Sequence, residues 1–151
     1  MEACGSGGRS LLFQTGPGLA TPLLIEAYAS SVPFPYATVL GQEIFQSGII
    51  PSDSDFRIFR DHGGLPGLDF AFYENGYVYH TKFDTADIIP DGSIEQAGVN
   101  ILALVRKLVS IDLKSIPPVQ LLANHSGEKL VFFDIASLVC LLFTVNLSII
   151  F

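Results

Sequence analysis

Charge is scarce in this chain. Only 15% of its 151 residues are Asp, Glu, Lys or Arg, against about a quarter in an ordinary soluble domain. Hydrophobic residues make up 49%, enough in a chain of this length to bury a sizeable core. Eight Lys and Arg stand against fifteen Asp and Glu, a net charge of −7. No basic cluster offsets that balance, which argues against a nucleic-acid binder, since such proteins present a basic face. The two cysteines, Cys4 and Cys140, sit near the N-terminus and inside an apolar run. They suggest no disulfide framework and say little about redox compartment. The stretch Met1 to Arg9 lacks the apolar core of a signal peptide. A Gly-rich phosphate loop before a helix is also missing, as is a Ser-His-Asp order with a nucleophile elbow. Gly5-Ser6-Gly7-Gly8 reads as flexible but leads into a strand, a weak case for a phosphate role.

What is present includes a long uncharged tail. From Ile135 to Phe151 the chain runs seventeen residues without a charge, and Leu130 to Phe133 extend it across Asp134. At about 1.5 Å rise per residue this is near the lower limit for crossing a bilayer. A buried core helix is one reading. A transmembrane helix over 130–151, cut off by the end of the sequence, accounts better for the missing flanking Lys or Arg.

Ahead of the tail, apolar periodicity predicts an α/β pattern. Ser10 to Gln14 reads as a buried strand. Thr21-Pro22 reads as an N-cap and first helical proline, opening a helix that turns Leu24, Ile25 and Tyr28 inward and ends before Pro33. A second helix is expected over Thr38 to Gln46 with Gly48 as its stop. A third starts at Ser54-Asp55, passes Phe56 and Phe59, and ends near Gly63-Gly64. Leu68 to Tyr73 is aromatic-rich and strand-like, followed by the turn signal Glu74-Asn75-Gly76. Ser93-Ile94-Glu95-Gln96 is a capping-box pattern. Behind it Ile94, Ala97, Ile101, Leu104, Val105 and Leu108 repeat at helical spacing. Lys114 to Lys129, with Pro117, Pro118 and Gly127, reads as a linker. Two or three strands are too few for a self-contained doubly wound sheet, which has about five or more. The pattern is that of the C-terminal half of a domain.

Of three histidines, His62 sits in a surface-like turn beside Asp61. His125 lies in the sequon Asn124-His125-Ser126; a second sequon, Asn146-Leu147-Ser148, falls within the apolar run. His80 follows a strand-like run, with acidic residues at Asp84 and Asp87. Enzymes of the α/β class place site residues at such strand exits. On the residues alone, a hydrogen-bonded structural histidine outweighs a metal ligand.

Three longer stretches change that weighting. They are Glu2-Ala3-Cys4-Gly5-Ser6-Gly7-Gly8 with Phe13-Gln14-Thr15-Gly16-Pro17, then Gln42 to Asp53, then Tyr79-His80-Thr81-Lys82-Phe83-Asp84-Thr85-Ala86-Asp87. In this order they resemble the di-zinc aminopeptidase family, in particular its membrane-anchored endoplasmic reticulum members. Relatives of that family include glutaminyl cyclases and the transferrin receptor ectodomain. The resemblance spans residues 1 to about 112 and continues into the apolar tail.

The resemblance implies a doubly wound zinc-exopeptidase sheet and two zinc ions sharing a bridging carboxylate. His80, Thr81 and Asp84 match a His-Thr-x-x-Asp motif, which makes His80 a zinc ligand. Glu2 matches the acidic position of an Asn-x-Asp/Glu motif, a ligand of the other zinc, with the motif's Asn falling before Met1. Ser54, Asp55 and Phe59 resemble a helix start beside the substrate pocket, and Asp84 is a candidate partner orienting the His80 loop. The family's first histidine, bridging aspartate and paired glutamates have no counterpart here; Met1 then reads as an internal methionine or a late start.

A catalytic zinc needs about three protein ligands, and two-metal hydrolysis needs both ions about 3.5–4 Å apart with a general base in reach of the water. The expectation is therefore a partial zinc peptidase domain (1–112), a linker (113–129) and a truncated transmembrane helix (130–151). Its parent would hydrolyse peptides at the endoplasmic reticulum membrane, with the peptidase domain in the lumen. The chain alone would hold zinc poorly and lack activity. The alternative expectation is a non-catalytic, membrane-tethered product that binds a partner.

Overall fold

A computed structural model describes residues 2–3, 5–16, 20–50, 53–112 and 128–146. Among these residues five strands and three α-helices follow in the order β1 (Glu2–Ala3), β2 (Leu11–Thr15), α1 (Thr21–Ser31), α2 (Val39–Gln46), β3 (Leu68–Phe72), α3 (Ser93–Ser110), β4 (Glu128–Ile135) and β5 (Val139–Asn146). The mixture of helices with small sheets agrees with the α/β expectation. β3 is the middle strand of the first sheet, parallel to β1 and antiparallel to β2. β4 and β5 form a separate antiparallel hairpin.

Residues 36–38 stitch the two sheets together. The Leu12 N–H donates to the Tyr36 carbonyl at 2.9 Å, the Thr38 N–H donates to Leu12 at 3.0 Å, and the Asp134 N–H donates to Ala37 at 3.0 Å. Leu12, Ile25, Tyr28, Val32, Phe70, Leu104 and Phe132 pack into one core cluster. Burying such side chains contributes about 1.5–3 kcal/mol each relative to exposure. Tyr28 keeps its hydroxyl satisfied inside this cluster by accepting from the Tyr36 N–H at 2.9 Å and donating to the Tyr36 carbonyl. Burial pushes its phenol pKa up.

The helix spans match the periodicity, but two helix starts and the buried face of α3 do not. α1 takes Ala20, not Thr21, as its N-cap. The Thr21 hydroxyl is buried and donates instead to the Gly16 carbonyl. α3 starts after Gly92, whose φ is +83°, and Ser93 is its first residue with no side-chain cap bond. The capping box does not form because the Ser93 hydroxyl accepts the Gly8 N–H at 3.1 Å, from 85 residues away. α3 also faces differently: Ala97 and Leu104 are buried as expected, but Ile94 is 66% exposed and Val105 is exposed. Their places are taken by Ser93 and Asn100, and the Asn100 carboxamide accepts from the Phe34 N–H and donates to the Phe34 carbonyl. α2 starts as read, with the Thr38 hydroxyl accepting the Leu40 N–H at 3.2 Å.

The largest correction is at the C-terminal end. Residues 128–146 form a β-hairpin where a transmembrane helix over 130–151 was expected. Among the described residues no helix is long and apolar enough to cross a membrane. Val131, Phe132, Phe133, Val139 and Phe143 are β-branched or aromatic and fit a pleated surface. Phe132 is fully buried in the core cluster. Asp134 is part of the reason the strands hold. Its carboxylate accepts the Ala37 N–H and the Ser137 N–H, both at 2.9 Å, joining the hairpin turn to the 36–38 segment.

The third expected helix is present over residues 56–62 and ends at Gly63, but it is π-helical at Ile58–His62. The Gly-rich stretch after β1 is also not a flexible loop, for Gly5, Ser6 and Gly7 are buried. The Ser6 N–H donates to the Glu74 carbonyl at 2.8 Å, and a Cβ at Gly5 would lie 2.2 Å from that carbonyl oxygen. Only glycine permits this approach. Cys4, most of the linker (113–127), the Asn124 sequon and the end of the tail (147–151) lie outside the described residues.

Candidate functional site

β1 and β3 are parallel neighbours, so their carboxyl ends point to one edge of the sheet. Ligands of open α/β sheets bind at such an edge. Glu2 lies on β1 in register with Ala71, and its side chain lies outside the described residues. Beyond β3 the chain passes Glu74, bonded to the stretch following β1, and a 3₁₀ turn at Gly76–Val78 before reaching His80.

His80 adopts φ +59°, in the left-handed region. For a non-glycine residue that conformation is uncommon, though histidine tolerates it better than most. Strained backbone of this kind gathers at functional sites and survives only where neighbours enforce it. Thr81 is the enforcing neighbour. Its N–H and hydroxyl both donate to the Val78 carbonyl, at 3.0 and 2.6 Å, and its hydroxyl accepts the Phe83 N–H at 3.1 Å. The loop is closed by the Asp84 N–H donating to the Thr81 carbonyl at 3.2 Å. The result is an exposed imidazole stacked on Tyr79 with ring centroids 3.8 Å apart. The Asp84 side chain is exposed.

Ser54 and Asp55 lie elsewhere. The Ser54 hydroxyl donates to the buried carboxylate of Asp69, at the start of β3, whereas His80 follows its end. Asp55 is exposed. Among the described residues no group of three His, Cys, Asp or Glu stands close enough to share a metal ion. One histidine and one strand-borne glutamate do not meet the roughly three protein ligands of a catalytic zinc, so the donor set here does not fit a zinc centre by itself.

A polar network that sequence reasoning missed surrounds Ser54. The Arg60 guanidinium donates to Gln14 Oε1 at 3.0 Å and to the Asp61 carboxylate at 2.7 Å, and lies 3.8 Å from Asp53. The Gln14 Nε2 in turn donates to Asp53 Oδ1 at 3.4 Å. The hydrogen bond to Asp61, then the neighbouring carboxylates, push the Arg60 pKa up against the opposing effect of burial. The same bond holds the Asp61 carboxyl below its usual range. A glutamine inside the apolar run Leu11-Leu12-Phe13-Gln14 and an aspartate inside Leu68-Asp69-Phe70 were the available signals, since buried polar groups need partners.

Comparison with known proteins bears on all of this. The model for Peptidase family M28 matches residues 1–105. The human protein endoplasmic reticulum metallopeptidase 1 is 51% identical over 138 residues, which is 91% of this chain and 14% of that protein. A Caenorhabditis elegans protein, putative endoplasmic reticulum metallopeptidase 1-B, is 47% identical over 148 residues, 98% of this chain and 16% of that protein. The vacuolar membrane protease of Schizosaccharomyces pombe is 33% identical over 116 residues, 76% of this chain and 13% of that protein. The chain thus spans about a seventh of the length of these curated relatives. No solved structure matches. A match over two thirds of the chain, on the stretch that carries Glu2, Ser54 and His80, gives the conclusion that this chain belongs to peptidase family M28.

Proposed function

We propose that the chain is one part of a zinc-dependent peptidase domain of the endoplasmic reticulum membrane, whose parent cleaves residues from the N-termini of peptides. Residues 1–112 supply the partial domain from the C-terminal half of a doubly wound sheet, 113–127 form a linker, and the 128–146 hairpin returns to pack into the same core. The observation that carries this reading is the arrangement of β1 and β3, parallel neighbours with Glu2 on one and His80 beyond the end of the other. Glu2 is a ligand of one zinc ion and His80 of the second, with Asp84 beside the His80 loop and Ser54 and Asp55 near the substrate. The names of the relatives support the endoplasmic reticulum as the compartment, and the peptidase domain faces its lumen.

Two ligands assigned to different ions cannot hold either firmly, so the chain alone has no peptidase activity. Peptide hydrolysis is assayed with the purified 151-residue chain and added zinc. No turnover above the zinc-only control is expected, and clear aminopeptidase turnover overturns the proposal. The exposed apolar side chains of α3, Ile94, Leu102 and Val109, favour a second reading as a non-catalytic product that binds a partner at the same membrane. A stable, monodisperse complex that co-purifies with the chain would support it.

A further inference from the structure

The network around Gln14 is not explained by packing. The Gln14 residue is 0% exposed, on a strand that also buries Leu12, Phe13 and Thr15. A carboxamide offers an acceptor and two donors on one rigid group, and both kinds are used here. Oε1 accepts from Arg60 and Nε2 donates to Asp53, so a single side chain grips residues seven positions apart on the segment 53–62. A carboxylate would keep the first contact and repel Asp53. An apolar side chain would keep neither.

The strand geometry serves the same end. Between Leu12 and Gln14 the register of β2 slips, so two steps on β2 oppose one on β3, and Gln14 pairs with Asp69. Bulges of this kind bend a strand and re-aim a side chain, often next to active sites. Gln14 and Asp69 therefore stand opposite each other on neighbouring strands, and between them hold Asp53, Ser54 and Arg60. The held segment includes the π-helical turn at Ile58–His62, a geometry that is rare and frequent at functional sites.

We propose that Gln14 is a positioning residue, whose buried carboxamide holds Asp53 and Arg60 together and thereby sets where Ser54 and Asp55 stand. Its role toward substrate rests on the peptidase reading, which puts those two residues beside the peptide. Its hold on the segment does not. The charged groups that face it are Asp53, Arg60, Asp61 and Asp69, with Arg57 on the far side of Asp53 at 3.9 Å.

The test is hydrogen exchange on the full chain, read as protection factors over residues 54–65. Gln14→Glu at neutral pH keeps the Arg60 contact and loses the Asp53 contact. Protection over 54–57 should fall about tenfold, as for the loss of one modest hydrogen bond, while 58–65 stays near native. Below the pKa of the new carboxyl its proton can again be donated to Asp53, and protection over 54–57 should return. Gln14→Met should open both halves at both pH values. Native protection in Gln14→Glu, or a loss spread evenly over α1 and α3, overturns the proposal.

The substrate-side measurement uses a hybrid in which residues 1–112 replace the matching stretch of the human relative. Gln14→Glu should raise KM for a peptide about fivefold with kcat within about twofold, the pattern of lost binding common to ground and transition states. A hybrid with native Gln14 that cleaves no peptide sinks the peptidase reading and leaves the exchange result standing. An active hybrid whose KM ignores Gln14→Glu sinks the positioning role.

Discussion

Segment 53–62 and loop 79–85 both carry residues read as site elements, yet they are held in opposite ways. The first is anchored by side chains to the sheet, through Gln14, Asp69 and the Arg60 guanidinium. The second is anchored by its own backbone and the Thr81 hydroxyl, with His80 and Asp84 exposed. Side-chain anchors lock a segment to its scaffold. Local turns shape a loop but leave its outward groups for something else to engage. The contrast is between a segment locked to the sheet near β3's start and a loop at its exit whose outward groups stay exposed.

The contrast can be broken from the first side most strongly. Arg60→Met removes the guanidinium and leaves Gln14 Oε1, Asp53 and Asp61 without it; the Arg60 side chain is 17% exposed. Urea unfolding should show a loss of about 2 kcal/mol, below the 3–5 kcal/mol of a fully buried broken pair, and exchange should open segment 53–62 first. Thr81→Val cuts both hydroxyl bonds of the second region. About 1 kcal/mol is expected, typical of an ordinary hydrogen bond, with exchange rising over 79–85 and segment 53–62 unchanged. An equal response of the two regions to either substitution would remove the distinction between them.

His80→Gly relieves the left-handed backbone at φ +59°. Thermal unfolding should show stabilisation of about 0.5 kcal/mol, the relief being partly offset by glycine's greater freedom in the unfolded chain. Acid should separate the regions more gently. The Asp61 carboxyl is held low by its bond to Arg60. A lowered folded pKa adds stability above the unfolded value of about 3.9, and this is lost as pH falls through the folded value. Asp61 is exposed, so the change should be small. Carboxyl NMR titration should place the Asp61 midpoint below that of a free aspartate, and Arg60→Met should abolish that lowering.

Apolar patterning carried much of the architecture. Leu11-Leu12-Phe13, Leu68 to Phe72 and the repeat from Ala97 to Leu108 each formed the element their spacing predicts. The misreadings share one cause. Thr21 and Ser93 have cap chemistry, but their hydroxyls were recruited by Gly16 and Gly8, and local propensity yields to a tertiary partner. The apolar tail was read by length, while its β-branched and aromatic residues found a strand partner and a core pocket for Phe132. The motifs around Glu2, Ser54 and His80 were legible and led to the family that the comparisons establish. The Gln14 network was not, because its members come from positions 14, 53, 60, 61 and 69.

By itself the sequence determined the helix spans, strands β2 and β3 and membership in a peptidase family, because periodicity and contiguous motifs are local properties of a chain. Tertiary structure alone decided the hairpin, the starts of α1 and α3, the tight seat of Gly5 and the grip of Gln14 on Asp53 and Arg60. Each of these depends on a buried donor, acceptor or apolar surface meeting a partner brought there by folding.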